Sequence, residues 1–167
     1  MINSWSLLQS AVEFSDFSSC SISRFLIQAC DISAPYIPGK FYLRELPCIL
    51  KILEEAKRHY KTIIIDGFVF LRKPMVFGLG GYLAKALDYQ TVIIGVAKNR
   101  LNQAQDFVEV TRGSSSKPLF VSACNMEPET AGTLIKNMYG SFRIPYILKI
   151  TDQLSRNQID DIKLKIN

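Results

Sequence analysis

A single histidine, His59, occurs in the 167 residues, and it stands among Lys57, Arg58 and Lys61 at what reads as a helix end. A solvated basic terminus of that kind leaves Ser–His chemistry without a base. There are four cysteines, Cys20, Cys30, Cys48 and Cys124, and no two have C-x-x-C spacing. That excludes the zinc and thioredoxin signatures, and buried free thiols in a reducing compartment are the reading that remains. No apolar run approaches the roughly 20 residues that span a bilayer. The opening Met1-Ile2-Asn3-Ser4-Trp5 lacks the basic-then-apolar order of a secretory signal. These absences predict a cytoplasmic protein with no membrane contact. Gly78-Leu79-Gly80-Gly81 lacks both the dinucleotide-binding glycine spacing and the Lys-Ser/Thr pair of a P-loop. It reads as close backbone packing around a pocket or a bent loop. Internal repeats and long low-complexity linkers are also missing.

What is present suits one domain over residues 1–167, with 48% hydrophobic residues to fill a core. A net charge of +5 and a pI near 9.0 favour an anionic partner, nucleic acid included. Residues 62–67, Thr-Ile-Ile-Ile-Asp-Gly, predict a fully buried strand ending in a carboxylate. Residues 91–97 predict a second one, with a short helix over 79–88 between them. Strand, helix, strand implies parallel pairing with a right-handed crossover. Residues 119–122 read as another apolar strand, 22–36 as a strand entering a Pro-rich turn, and 11–17 as a further strand. Pro128 opens a helix that Gly140 closes. Residues 113–117 form a turn, and the polar 152–167 form a terminal helix or fray. The fold class is therefore α/β, a mixed central sheet flanked by helices, with the Asp66 strand central.

Leu46, Ile49, Leu50, Ile52, Leu53 and Ala56 alternate with charged residues at helical spacing over 45–60. Pro47 suits only the first turn of such a helix. The helix travels roughly 22 Å at about 1.5 Å per residue, and the following strand returns roughly 17 Å at about 3.3 Å per residue. Glu45 and Asp66 thus finish at one end of the layer, where open α/β sheets place their ligands. Lys98, just past the neighbouring strand, joins them. Two hard oxygen donors and an ammonium make a magnesium and phosphate site. The same residues have plainer roles open to them: Asp66 as a turn former, Glu45 as a complement to the helix dipole.

Pro35-Tyr36-Ile37-Pro38-Gly39, then Phe41 and Leu43-Arg44-Glu45-Leu46-Pro47, resembles the endonuclease V hallmark P-Y-[IV]-x-G-x-x-x-[FL]-R-E. Three blocks follow in family order: Ile63-Ile64-Ile65-Asp66-Gly67, Ile94-Gly95-Val96-Ala97-Lys98, and Lys117-Pro118-Leu119-Phe120-Val121-Ser122. Arg143-Ile144-Pro145 also fits, so the resemblance covers roughly residues 30–146. It implies a ribonuclease H-like fold and a magnesium-dependent endonuclease, with manganese able to substitute. Such an enzyme hydrolyses a phosphodiester 3′ to deoxyinosine or inosine in DNA or RNA, with a role in DNA repair. Glu45 and Asp66 would hold metal, and Lys98 the phosphate or attacking water. Tyr36 with Ile37, Pro38 and Gly39 would be a wedge replacing the lesion base in the stack. Gly67, Gly78, Gly80 and Gly81 would line the base pocket. The partner is inosine-containing nucleic acid, and the chain is expected to act as a monomer.

The chain also departs from the family pattern. Where the family has a first metal Asp, the nearest counterpart is Asn3, which offers a carbonyl oxygen but no charge. Asn125 stands where the family commonly has His or Asp, and is assigned to substrate binding. Arg72 occupies a usual histidine position, and the stretch between Lys98 and Lys117 is short. Two readings result: a magnesium-dependent nuclease slowed by weak metal binding, and a nucleic-acid-binding relative that has lost catalysis. Glu13, Asp16 or Asp31 reaching Glu45 and Asp66 would favour the first.

Overall fold

Branched apolar residues set the frame of the sheet. In the computed structural model, β3 (Thr62–Asp66) and β6 (Val92–Ala97) run parallel, with Ile64 opposite Ile94 and Asp66 opposite Val96. The structure describes residues 5–32, 37–72, 76–102 and 104–156, with the backbone alone for 5–7, 31 and 32. β8 (Leu119–Cys124), buried at every position, pairs antiparallel with β6, and β7 (Val108–Val110) pairs antiparallel with β8. The ladder order is β3-β6-β8-β7, a mixed sheet. β3, expected at its centre, ends this ladder instead: its only bonded neighbour among the described residues is β6.

β1 (Trp5–Glu13) and β2 (Arg24–Ile32) form an antiparallel hairpin with Val12 opposite Phe25. α1 (Tyr42–Ala56) packs against both β2 and the Ile65 side of β3. On the opposite face α4 (Tyr146–Ser155) packs on β1, where Ser10 Oγ donates to Thr151 O at 2.7 Å. The hairpin therefore continues the layer between the same helices. Among the described residues no backbone ladder joins it to the four-stranded sheet.

Side-chain alternation along β6 divides the core, because neighbouring residues on a strand face opposite sides. Ile93 packs with Ile65, Leu83 of α2 (Leu79–Ala86) and α1. Ile94 and Val96 pack with Ala131 and Ile135 of α3 (Pro128–Asn137) and with Ile147 and Ile150 of α4. A short hairpin, β4 (Phe70–Arg72) with β5 (Val76–Phe77), precedes α2.

The helix expected over 45–60 begins three residues earlier and ends at Ala56, where Lys57 takes a left-handed conformation (φ 53°). Pro47 therefore lies in the second turn rather than the first. There its ring removes one helical hydrogen bond and crowds the carbonyl of Leu43. Packing of Cys48, Ile52 and Ala56, all buried, outweighs that local cost.

Candidate active site at the end of the parallel strands

The loop after Asp66 is fixed by what crosses the sheet beneath it. Gly67 N–H donates to Val96 O at 3.1 Å, extending the β3–β6 ladder by one residue. A Cβ on Gly95 would lie 2.5 Å from Gly67 O and 2.8 Å from Ser122 Oγ, so only glycine lets this loop pass so close. Ser122, fully buried, accepts a hydrogen bond from Val69 N–H at 2.9 Å. On the other side, Gly80 and Gly81 bring α2 onto Val69, where a Cβ at Gly81 would meet Val69 O at 2.7 Å. Gly78 is equally tight against Phe68 O. The glycine-rich turn is thus close backbone packing that braces the loop beyond Asp66.

Asp66 projects into solvent from the end of β3, and Lys98, one residue past β6, donates to its Oδ2 at 3.0 Å. Glu45 comes from the first turn of α1 at the same end. Half-buried, its carboxyl is pushed above the usual 4.5, first by lost solvent and then by the Asp66 charge, with Arg44 partly offsetting both. The three residues expected to converge therefore do. Sequence reasoning missed a fourth group: Asp152 of α4, whose Oδ1 lies 3.6 Å from Lys98 Nζ and 3.1 Å from an Arg156 nitrogen. The signal was available, since Ile147, Ile150 and Leu154 have helical spacing and leave Lys149, Asp152 and Arg156 on the other side.

Other expectations fall elsewhere. Asn125 follows β8, whose Cys124 lies opposite Ile93 near the start of β6, while Asp66 lies opposite Val96 near its end. Its amide donates to Tyr89 O at 2.7 Å and Thr91 O at 3.1 Å, pinning the turn that leads into β6 at the far end of the sheet. The antiparallel direction of β8 is the reason. A direct role for Asn125 at the Asp66 end is corrected accordingly. Glu13 accepts from Tyr60 Oη at 2.6 Å and pairs with Arg58 at 3.3 Å, which ties it beyond the opposite end of α1. Asp16 is exposed and accepts from Ser18 N–H at 2.8 Å in its own turn. Asp31 is placed by its backbone alone, opposite Ser6. Ile37, Pro38 and Gly39 form an exposed turn leading into α1. Tyr36 and Asn3 lie outside the described residues.

The donor set is chemically suited to a hard divalent cation. Two carboxylates of like charge are brought together, one of them partly desolvated, and a lysine ammonium bridges Asp66 and Asp152. Among the described residues no three acidic, cysteine or histidine side chains stand close enough to share one ion. Magnesium readily keeps water and takes substrate oxygens as part of its shell. No helix among the described residues is long and apolar enough to cross a membrane.

Residues 3–115 match the Endonuclease V family. An endonuclease V of Rippkaea orientalis is 26% identical over 97% of this chain and 78% of its own length. One from Streptomyces coelicolor is 38% identical over 55% of this chain, a region that is 38% of that protein. Among solved structures, Ciona intestinalis endonuclease V superposes with a TM-score of 0.69 at 18% identity, covering 96% of this chain and 88% of that one. That protein was solved with a 23mer DNA containing an inosine followed by a ribo-adenosine. The catalytic domain of human endonuclease V gives a TM-score of 0.68 at 20% identity, covering 95% of this chain and 83% of that one. These neighbours have the expected ribonuclease H-like fold. With the hallmark blocks carried on the elements that build one acidic sheet end, the chain belongs to the endonuclease V family.

Proposed function

We propose that this chain is a single-domain, divalent-metal-dependent endonuclease acting on inosine-containing DNA or RNA, with magnesium as the ion and manganese able to replace it. The observation that carries the proposal is the convergence of Glu45, Asp66 and Lys98 at the carboxyl end of the parallel strands. Glu45 and Asp66 would hold the ion. An ion held by those two carboxylates would supply charge neutralisation for phosphate oxygens and a more acidic attacking water. Lys98 moves between carboxylate and phosphate, holding the scissile group once substrate arrives. The exposed Ile37-Pro38-Gly39 turn, continuing from Tyr36, is the wedge. Gly67, beside which a Cβ would meet no atom within 4 Å, would admit the displaced base, over the loop that Gly78, Gly80 and Gly81 brace from behind. A role in DNA repair, a cytoplasmic location and a monomeric state are part of the same proposal.

One observation favours a slower enzyme or a binding relative: no third carboxylate, cysteine or histidine joins Glu45 and Asp66 at ion distance among the described residues. Magnesium gives up its water reluctantly, so a site of low charge fills only at high concentration. Cleavage of deoxyinosine and inosine oligonucleotides, titrated with magnesium and with manganese, separates the cases. Wild type is expected to need high magnesium or manganese, Asn3→Asp to cleave faster, and Asp66→Ala to cleave nothing. Cleavage that survives Asp66→Ala would place the chemistry elsewhere. Binding without cleavage at any metal concentration would establish the relative that has lost catalysis.

A further inference from the structure

A trough of about 480 Å³ is lined by Lys98 together with Ser114, Ser141, Phe142, Lys149 and Asp152, among others. The Ser141–Phe142 segment of its lining is held by Arg112. That residue is buried, and its guanidinium donates to the carbonyls of Lys136, Met138, Gly140 and Phe142. Gly113 fits hard against the same loop, since a Cβ there would lie 2.2 Å from Ser141 O. Arg143 donates to Lys98 O and Pro118 O, and its buried Nε has no partner. The loop that carries Phe142 is therefore fixed relative to Lys98.

Phe142 is 71% exposed, the most exposed large apolar side chain described. The Lys149 ammonium lies 5.9 Å from its ring centroid. The ring is thus held out in water on a braced loop, with a cation beside it, rather than packed in the core. Together with an ammonium and serine hydroxyls it has the composition that binds a nucleic-acid strand, with stacking for a base and cations for phosphate. Asp152 does not oppose this, because Lys98 and Arg156 already pair with it.

We propose that this trough is a second contact point for the nucleic-acid strand, in which one unpaired base stacks on Phe142 and its phosphate lies against Lys149 and the Ser114 hydroxyl. It rests on the reading of the Asp66 end as a nuclease site, and it extends the strand's path from that site along α4. Stacking is tolerant of base identity, so the trough grips the strand without reading its sequence. It thereby adds affinity independent of the lesion.

The test is anisotropy titration of the full chain with labelled single strands, each containing inosine and one abasic site walked along both sides of it. At one position the missing base is expected to weaken wild-type binding roughly tenfold. At that position it should cost Phe142→Ala nothing, while Phe142→Trp keeps the wild-type pattern. The exposed ring leaves the fold intact when removed, which circular dichroism checks. Phe142→Ala binding every strand as wild type does, or losing affinity equally at all abasic positions, would overturn the proposal. Guanine strands in place of inosine separate the two readings. If inosine confers no preference but the Phe142 position persists, the lesion-directed function fails and the trough stands. If inosine is preferred and no such position exists, the reverse holds.

Discussion

Burial withdraws solvent from the Glu45 carboxyl and the Asp66 charge repels its ionised form, so the folded chain holds this proton more tightly than the unfolded chain does. A raised carboxylate stabilises the fold at acid pH, and that contribution is lost as pH rises through the folded value. Without metal, Glu45→Gln is therefore expected to raise the melting temperature at neutral pH. The advantage should shrink as pH falls toward the ordinary value of 4.5. Equal melting curves for both proteins across that range would mean that the fold does not raise the Glu45 carboxyl at all. Asp152 belongs to the same scale. It shares Lys98 with Asp66, so Asp152→Ala should release the ammonium onto Asp66 alone and shift the metal dependence of cleavage to higher concentration. An unchanged metal titration would confine Asp152 to anchoring α4.

The elements are placed by close approach more than by propensity. Gly95 lies where β6 passes under the Gly67–Val69 backbone, with no room for a methyl group. Gly95→Ala should cost about 1–3 kcal/mol in denaturant unfolding, as overpacking of a filled core does. It should also displace Asp66, and cleavage would fall with it. The long turn between α3 and α4 depends on Arg112 in the same way. Four carbonyls accept from one buried guanidinium, and Arg112→Met would leave them unpaired. A loss of roughly 2–4 kcal/mol is expected. If stability held, water would have to be satisfying those carbonyls.

Across the whole molecule, a +5 chain places Lys98 and Lys149 in the lining of the trough that adjoins the acidic site. Counterion release makes affinity for a single strand fall with salt by about 0.7 in log–log slope for each phosphate neutralised. Lys149→Gln should reduce that slope by about this amount, and Lys136→Gln, outside the trough, should leave it unchanged. Equal slopes for wild type and Lys149→Gln would move the strand's path away from α4.

Sequence patterning determined which residues form the carboxylate end. The apolar run before Asp66, its twin before Lys98 and the helical spacing after Glu45 each fix a direction of travel, and direction alone brings three chain-distant groups to one end. The same reasoning found the mixed sheet and the tight glycine turn. It placed β3 at the centre, because a buried run looks alike beside one strand or two. It assigned Asn125 to the site, because a motif's order does not tell which way its strand runs. Tertiary structure decided the rest. The antiparallel course of β8 carries Asn125 to the far end. Packing of Ile147, Ile150 and Leu154 starts α4 at Tyr146, six residues before the segment expected to hold a terminal helix, and delivers Asp152 to Lys98. The trough exists only because Arg112 gathers carbonyls up to 30 positions away, a contact that no local spacing encodes.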